Sequence, residues 1–432
     1  SGPSYPDRPG GGGSENNASD SVVLSDDSTE ATVSNLNDLE SAISNGSNIK
    51  LAKDITISGL TGPLTLKDKT TLDLNGHTLT IQSIDNISNS NRLVIEDDAT
   101  VIIENGTIVY SGELRSKSPV KLGDSTKVYN NGTNDVTDVS KLTLNNVIIK
   151  STGYGVSVFS NANLNVTNSI ITAEVSAIAT NGTSAGSPGN SCGSTVSITD
   201  SQCTSIDSAA IFFPGGAKLD VNGGTFTGKT GFDIRSGTVT IDDATINVLG
   251  SPSEKKLTDD NKAGGNGPTS WGMGIAVFNM NSYGQDASGT PADISVTVNS
   301  TTTINNEVYK LYIGGYDLNK TYDTNGKFIA KNDETKYTPV HKCTVTLDGI
   351  EKCNISSTNE SNVVLIDGTR SADTSVQISM DYRNMIFANG TPITISGVTG
   401  GNNSKITYGS DNEVVFVDNF DLSTFTVFGG SN

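Results

Sequence analysis

Residues 72–79 read LDLNGHTL: apolar, any, apolar, any, Gly, two of any kind, apolar. The same template recurs as VIIENGTI from Val101, LTLNNVII from Leu142, LNVTNSII from Leu164, VSITDSQC from Val196, LDVNGGTF from Leu219 and VTIDDATI from Val239. The fifth position is Gly76, Asn105, Asn146, Asn168, Asp200, Gly223 and Asp243. Gly, Asn and Asp tolerate a left-handed backbone, so a turn is expected at the same place in every copy. The eighth position is Leu79, Ile108, Ile149, Ile171, Cys203, Phe226 and Ile246. A turn recurring between fixed apolar flanks means that one structural unit is stacked on itself.

Working outward, the copies start 29, 41, 22, 32, 23 and 20 residues apart. The short spacings are one unit; the longer ones are a unit with an insertion, or two units. A second strand precedes the template in each unit, as in GYGVSVFSN (153–161), VSAIATN (175–181), SAAIFFPGG (208–216), TGFDIRSG (230–237) and GMGIAVFNM (272–280). Each unit therefore supplies at least two strands and has no room for a helix. At about 3.3 Å per residue, it makes one lap of a narrow prism, with each strand parallel to its copy in the next lap. Ahead of the first strands, Leu36, Leu39, Ala42 and Ile43 follow helical spacing, with Asn35 as N-cap and Asn45-Gly46 as terminator. Such a helix covers the open apolar end of a solenoid.

The 432-residue chain carries 28 Lys and Arg against 47 Asp and Glu, a net charge of −19. An acidic chain without basic clusters repels phosphate backbones, which argues against nucleic acid as a partner. No run of 18 apolar residues is present, so no transmembrane segment is expected. Residues 1–31, opening SGPSYPDRPGGGGSENNASD, read as a flexible tether. Residues 32–432 read as one solenoid domain, with polar insertions near 250–271 and 316–337. The four cysteines, Cys192, Cys203, Cys343 and Cys353, read as buried thiols ahead of disulfides, because Cys203 occupies the apolar eighth column.

The capping stretch NLNDLESAIS, the LDLNGHTLTI run from Leu72 and the turn column resemble the right-handed parallel β-helices of the pectin-lyase-like superfamily, over roughly residues 32–428. The fold this implies is all-β: a single-stranded right-handed parallel β-helix, or solenoid, with a short N-terminal capping helix. The superfamily holds lyases, hydrolases, tailspikes and adhesins, so the resemblance speaks to fold more than to activity. It implies an extracellular or surface-anchored bacterial protein; the tether suits a lipoprotein's spacer or an ordinary linker, and a monomer is expected.

Lyases of this kind abstract a proton with Arg or Lys beside acidic Ca²⁺ ligands. Asp233 and Arg235 alternate with Phe232 and Ile234, so they are expected to face outward as a carboxylate–guanidinium patch, or simply as an exposed salt bridge. The GHG motif of the hydrolases is missing; His77 and His341 lie elsewhere. Asp317, Asn319, Thr321 and Asp323 place oxygen ligands at alternate positions and are candidates for calcium, the one cofactor considered, or form a solvated turn. Trp271, Tyr312, Tyr316, Tyr322 and Tyr337 are candidates for stacking on sugar rings, or pack within loops. The function expected is a non-catalytic carbohydrate-binding surface protein or adhesin, whose partner is a polysaccharide or a host or cell-surface glycan. The alternatives are a polysaccharide lyase or glycoside hydrolase, and a passive stalk.

Overall fold

The computed structural model describes residues 30–60, 62–83, 92–112, 115–124, 139–181, 193–250, 271–278, 292–299 and 302–305 with their side chains. Beyond these it describes the backbone of strand segments from Tyr309–Gly314 to Gly430–Ser431. The chain is a parallel β-solenoid. A lap such as residues 156–173 contains three strands, Val156–Val158, Ala162–Thr167 and Ile170–Ala173. These belong to three faces. Template positions one to three lie on the first face, position eight on the second, and the strand preceding the template on the third.

The turn column behaves as its residue types demand. Gly76, Asn105, Asn146, Asn168, Asp200, Gly223 and Asp243 all have positive φ, from 46° to 78°. Beyond the turn, Leu79, Ile108, Ile149, Ile171, Cys203, Phe226 and Ile246 stack in register and are fully buried. On the first face Val101, Leu142, Leu164, Val196, Leu219, Val239 and Val296 form an equivalent row. That row continues through Val345, Val376, Ile395 and Phe416. Each fully buried aliphatic side chain contributes about 1.5–3 kcal/mol, so the stacked rows supply the apolar driving force of the fold.

Two departures from the template have local causes. Leu72 stacks on Ile103, the third template position, while Leu79 still stacks on Ile108. The first copy absorbs the two extra residues in a wider corner, where Asn75 and Gly76 are both left-handed. Leu74 then fills the space beside Gly106, where an added Cβ would lie 2.2 Å from Leu74 Cβ. The lap from Val296 reaches its buried Ile304 after one additional residue, which hid it from the template; Thr302 at its corner lies 3.4 Å from Ala244 N.

Hydroxyls help to satisfy the backbone at these corners. Ser169 Oγ accepts from Val147 N at 3.1 Å, and Ser201 Oγ accepts from Ser169 N at 3.1 Å. The left-handed residue turns these N–H groups out of the regular ladder, and a buried donor needs a partner. Replacing Asn168 with Ala should cost about 1 kcal/mol, because the short polar side chain of Asn offsets part of the left-handed penalty by local hydrogen bonding and Ala cannot. Asn168→Gly should stay within a few tenths of a kcal/mol of wild type, because glycine adopts this backbone freely. Urea unfolding of the two variants checks this; equal stabilities would contradict it.

The cap forms as its residues suggest. A helix spans Leu36–Ser44, and Asn35 accepts a hydrogen bond from Asp38 N at 2.9 Å. Leu39, Ala42 and Ile43 are buried in the main core. An edge strand, Glu30–Val33, precedes the helix and pairs with Asn48–Leu51. It starts inside the stretch expected as tether; residues 1–29 lie outside the described residues. At the far end the closing pair is Lys405–Tyr408 with Asn412–Phe416, antiparallel, whereas Thr426–Val427 joins the third face. Cys203 is a free, fully buried thiol, pushed up to about 12 by desolvation.

Candidate functional site

The third face carries the chemistry. Its inner rows are apolar except at Thr180: Val120, Val156, Ile178, Ile211, Phe232 and Ile275 stack in one row, with Leu122, Val158, Thr180, Phe213, Ile234 and Val277 two residues on. Residues between these rows must point the other way. In the first laps this outer side is half-exposed, at Thr65, Val94 and Lys121. From Val156 onward both sides are buried: Val156–Val158, Ile178–Thr180, Ala209–Phe213, Thr230–Ile234 and Met273–Phe278 have no exposed position.

That burial corrects the expected placement of Asp233 and Arg235. They lie on the outer side, opposite Phe232 and Ile234, but both are fully inaccessible to solvent. Arg235 donates from Nε to Asp233 Oδ1 at 3.0 Å and from Nη2 to Asp233 Oδ2 at 3.1 Å, a two-pronged ion pair. Phe212, in register with Asp233, holds its ring 4.9 Å from the guanidinium carbon. Phe278, on the other neighbouring lap, lies 5.6 Å away. Strand alternation alone indicated the side correctly; it could not show that this side is itself covered.

Trp271 is corrected in the same way. It is buried rather than presented for stacking, with Lys229 Nζ 4.8 Å from its ring centre. Tyr312 occupies the register position after Ala276 on the outer row, within a strand described by its backbone. Tyr316, Tyr322 and Tyr337, and the calcium candidates Asp317, Asn319, Thr321 and Asp323, lie outside the described residues. Among the described residues, no three His, Cys, Asp or Glu side chains converge as a metal site.

Two charged groups on this flank escaped sequence reasoning, because their members are far apart in the chain. In the first, Arg115 Nη1 donates to Glu174 Oε2 and Nη2 to Asp207 Oδ2, each at 2.6 Å. Glu174 and Asp207 occupy successive laps, linked by the hydrogen bond from Asp207 N to Glu174 O. In the second, Arg92, Lys117 and Lys121 gather around the third face. Burial pushes the Arg92 guanidinium down to about 10, against the opposing influence of Tyr110. Lys117 is lowered by burial and by Arg92. Lys121 is lowered by burial, Arg92 and Lys117, against the raising effect of Asp124 and Asp97. Lys121 Nζ also lies 4.9 Å from the ring centre of half-buried Phe159. Only stacking of laps brings these groups together; the one signal in the sequence is the basic run from Arg115 to Lys121.

Fold and flank thus define a parallel β-solenoid with an unevenly covered third face. The chain matches no family model, and no curated protein is significantly similar to it in sequence. No helix among the described residues is long and apolar enough to cross a membrane.

Proposed function

We propose that this chain is a carbohydrate-binding surface protein or adhesin of the pectin-lyase-like type, extracellular or anchored at the cell surface, which holds its glycan along the third face. The observation that carries this reading is the half-exposed Phe159 ring with the Lys121 ammonium beside it, on a rigid flank where the next lap begins a fixed distance above. An aromatic face stacks on the apolar side of a sugar ring, and a neighbouring ammonium donates hydrogen bonds to sugar oxygens. A parallel ladder repeats about every 4.8 Å, so such a flank suits an extended polymer rather than a compact ligand.

The enzymatic alternative, a lyase or glycoside hydrolase, draws support from Glu174 and Asp207 on successive laps with Arg115 between them. Paired carboxyls are the working parts of glycoside hydrolysis. One experiment separates the readings. The protein is passed over a panel of neutral and acidic polysaccharides, and each is then assayed for new reducing or unsaturated ends. Retention without cleavage, reduced at least fivefold by Phe159→Ala, is the expected result. Cleavage abolished by Glu174→Gln would establish the enzyme instead. Neither retention nor cleavage would leave a passive stalk.

A further inference from the structure

Arg92 is a buried cation. The residue is 7% exposed. Nη2 donates to Ser118 Oγ at 2.7 Å, and Nε has no hydrogen-bond partner. Among the described residues no carboxylate forms an ion pair with it. Ser118 is itself fully used: its hydroxyl donates to Val120 O at 2.8 Å and lies 2.8 Å from Ser157 Oγ. The serine therefore orients the guanidinium without neutralising it.

Burying an unpaired charge is unfavourable. Here two further cations, Lys117 and Lys121, lie close enough to repel it. Both are half-exposed, so they form the rim above a buried base. Three mutually repelling cations in a protein of net charge −19 are not explained by packing. Lys121 and Ser157 sit on neighbouring laps of the outer row, in register with each other. An incoming group at this place would meet a guanidinium edge and two ammonium groups; among the described residues, Asp97 and Asp124 are the carboxylates whose fields act on Lys121.

We propose that Arg92, Lys117 and Lys121 bind an oxyanion, a sulfate, phosphate or carboxylate group, with the unpartnered Nε edge of Arg92 at the base and the two lysines closing over it. The planar fork of arginine matches two oxygens of such a group, and the ammonium groups act as point charges. Ser118 holds Arg92 in place. For what carries the anion, the inference rests on the glycan reading: an acidic substituent seated here would place its sugar ring beside Phe159. The site could equally be filled by a free ion, and the test separates the two sources.

The full chain is titrated with sodium sulfate and with sodium phosphate, against sodium chloride at matched ionic strength. Calorimetry and the melting temperature are the readouts. Saturable binding of at least one oxyanion is expected, with a matching rise in Tm that chloride does not give. The Lys117→Gln/Lys121→Gln variant, altered only at the rim, should bind at least tenfold more weakly. Arg92→Met should lose the oxyanion response while melting no lower than wild type in chloride, because it removes an unpaired buried charge. Absence of an oxyanion-specific response in the wild type, or an undiminished response in the rim variant, overturns the proposal. Dextran sulfate and unmodified dextran form the second arm. Retention of the sulfated polymer alone, lost in the rim variant, identifies a polymer-borne anion. Binding of inorganic sulfate with no retention of any glycan keeps the anion site and removes the glycan reading. Glycan retention that persists without any oxyanion response does the reverse.

Discussion

Arg235→Met will destabilise the protein by about 3–5 kcal/mol, the usual cost of removing one partner from a buried ion pair. The change leaves the Asp233 carboxylate fully buried without the guanidinium that holds both of its oxygens. Phe212 and Phe278 lose the cation between them, and desolvated cation–π contacts are worth about 2 kcal/mol or more. The double variant Asp233→Leu/Arg235→Met should recover most of the loss, because desolvating both charges offsets much of their attraction. A double-mutant cycle measured by chemical denaturation therefore gives a large coupling energy. A loss below about 1 kcal/mol in the single variant would mean that the pair is wet, as an exposed salt bridge would be. If the protein cleaves any glycan, the double variant also tests the pair's expected catalytic part. Unchanged turnover in a folded double variant would assign it to packing alone.

Gly237→Val will disrupt the laps around it, at a cost above about 4 kcal/mol, in the exceptional range for a point substitution. Gly237 has φ 92°, where an L-residue is strained. A Cβ built there lies 2.1 Å from Ala217 O and 3.0 Å from Ala217 N, both backbone atoms of the adjoining lap. No side chain can move aside. Ala217 O also accepts from Thr238 N at 3.0 Å, so separating the laps breaks the ladder that joins them. A solenoid lap contacts chiefly its neighbours, so the damage should stay local. Hydrogen exchange should show lost protection across residues 209–248 and retained protection across the early laps near residues 48–81. Uniform loss of protection over the whole chain would show instead that the solenoid unfolds as one unit.

The seven left-handed corners, the buried eighth column and the helix cap were all legible in the residue order. Each depends on one residue's backbone preference or on apolar spacing along a continuous stretch. The lap from Val296 was missed for the same reason, since one added residue breaks a fixed template without breaking the stack. The shifted pairing of Leu72 with Ile103 was equally invisible, because it depends on how two laps accommodate each other at a corner.

The candidate site divides along the same line. Alternation put Asp233 and Arg235 on the side opposite Phe232 and Ile234, and they are there. Their burial, like that of Trp271, depends on what packs over a sheet, and no local pattern encodes it. Arg92, Lys117 and Lys121 meet for a related reason: 25 residues separate Arg92 from Lys117 along the chain, yet one lap of solenoid brings them side by side. Local sequence determined the shape of each lap, since φ preferences and apolar periodicity act over a few residues. Only the stacked structure decided which charges share a neighbourhood and which lose their water, because Coulomb forces and desolvation follow distance through space.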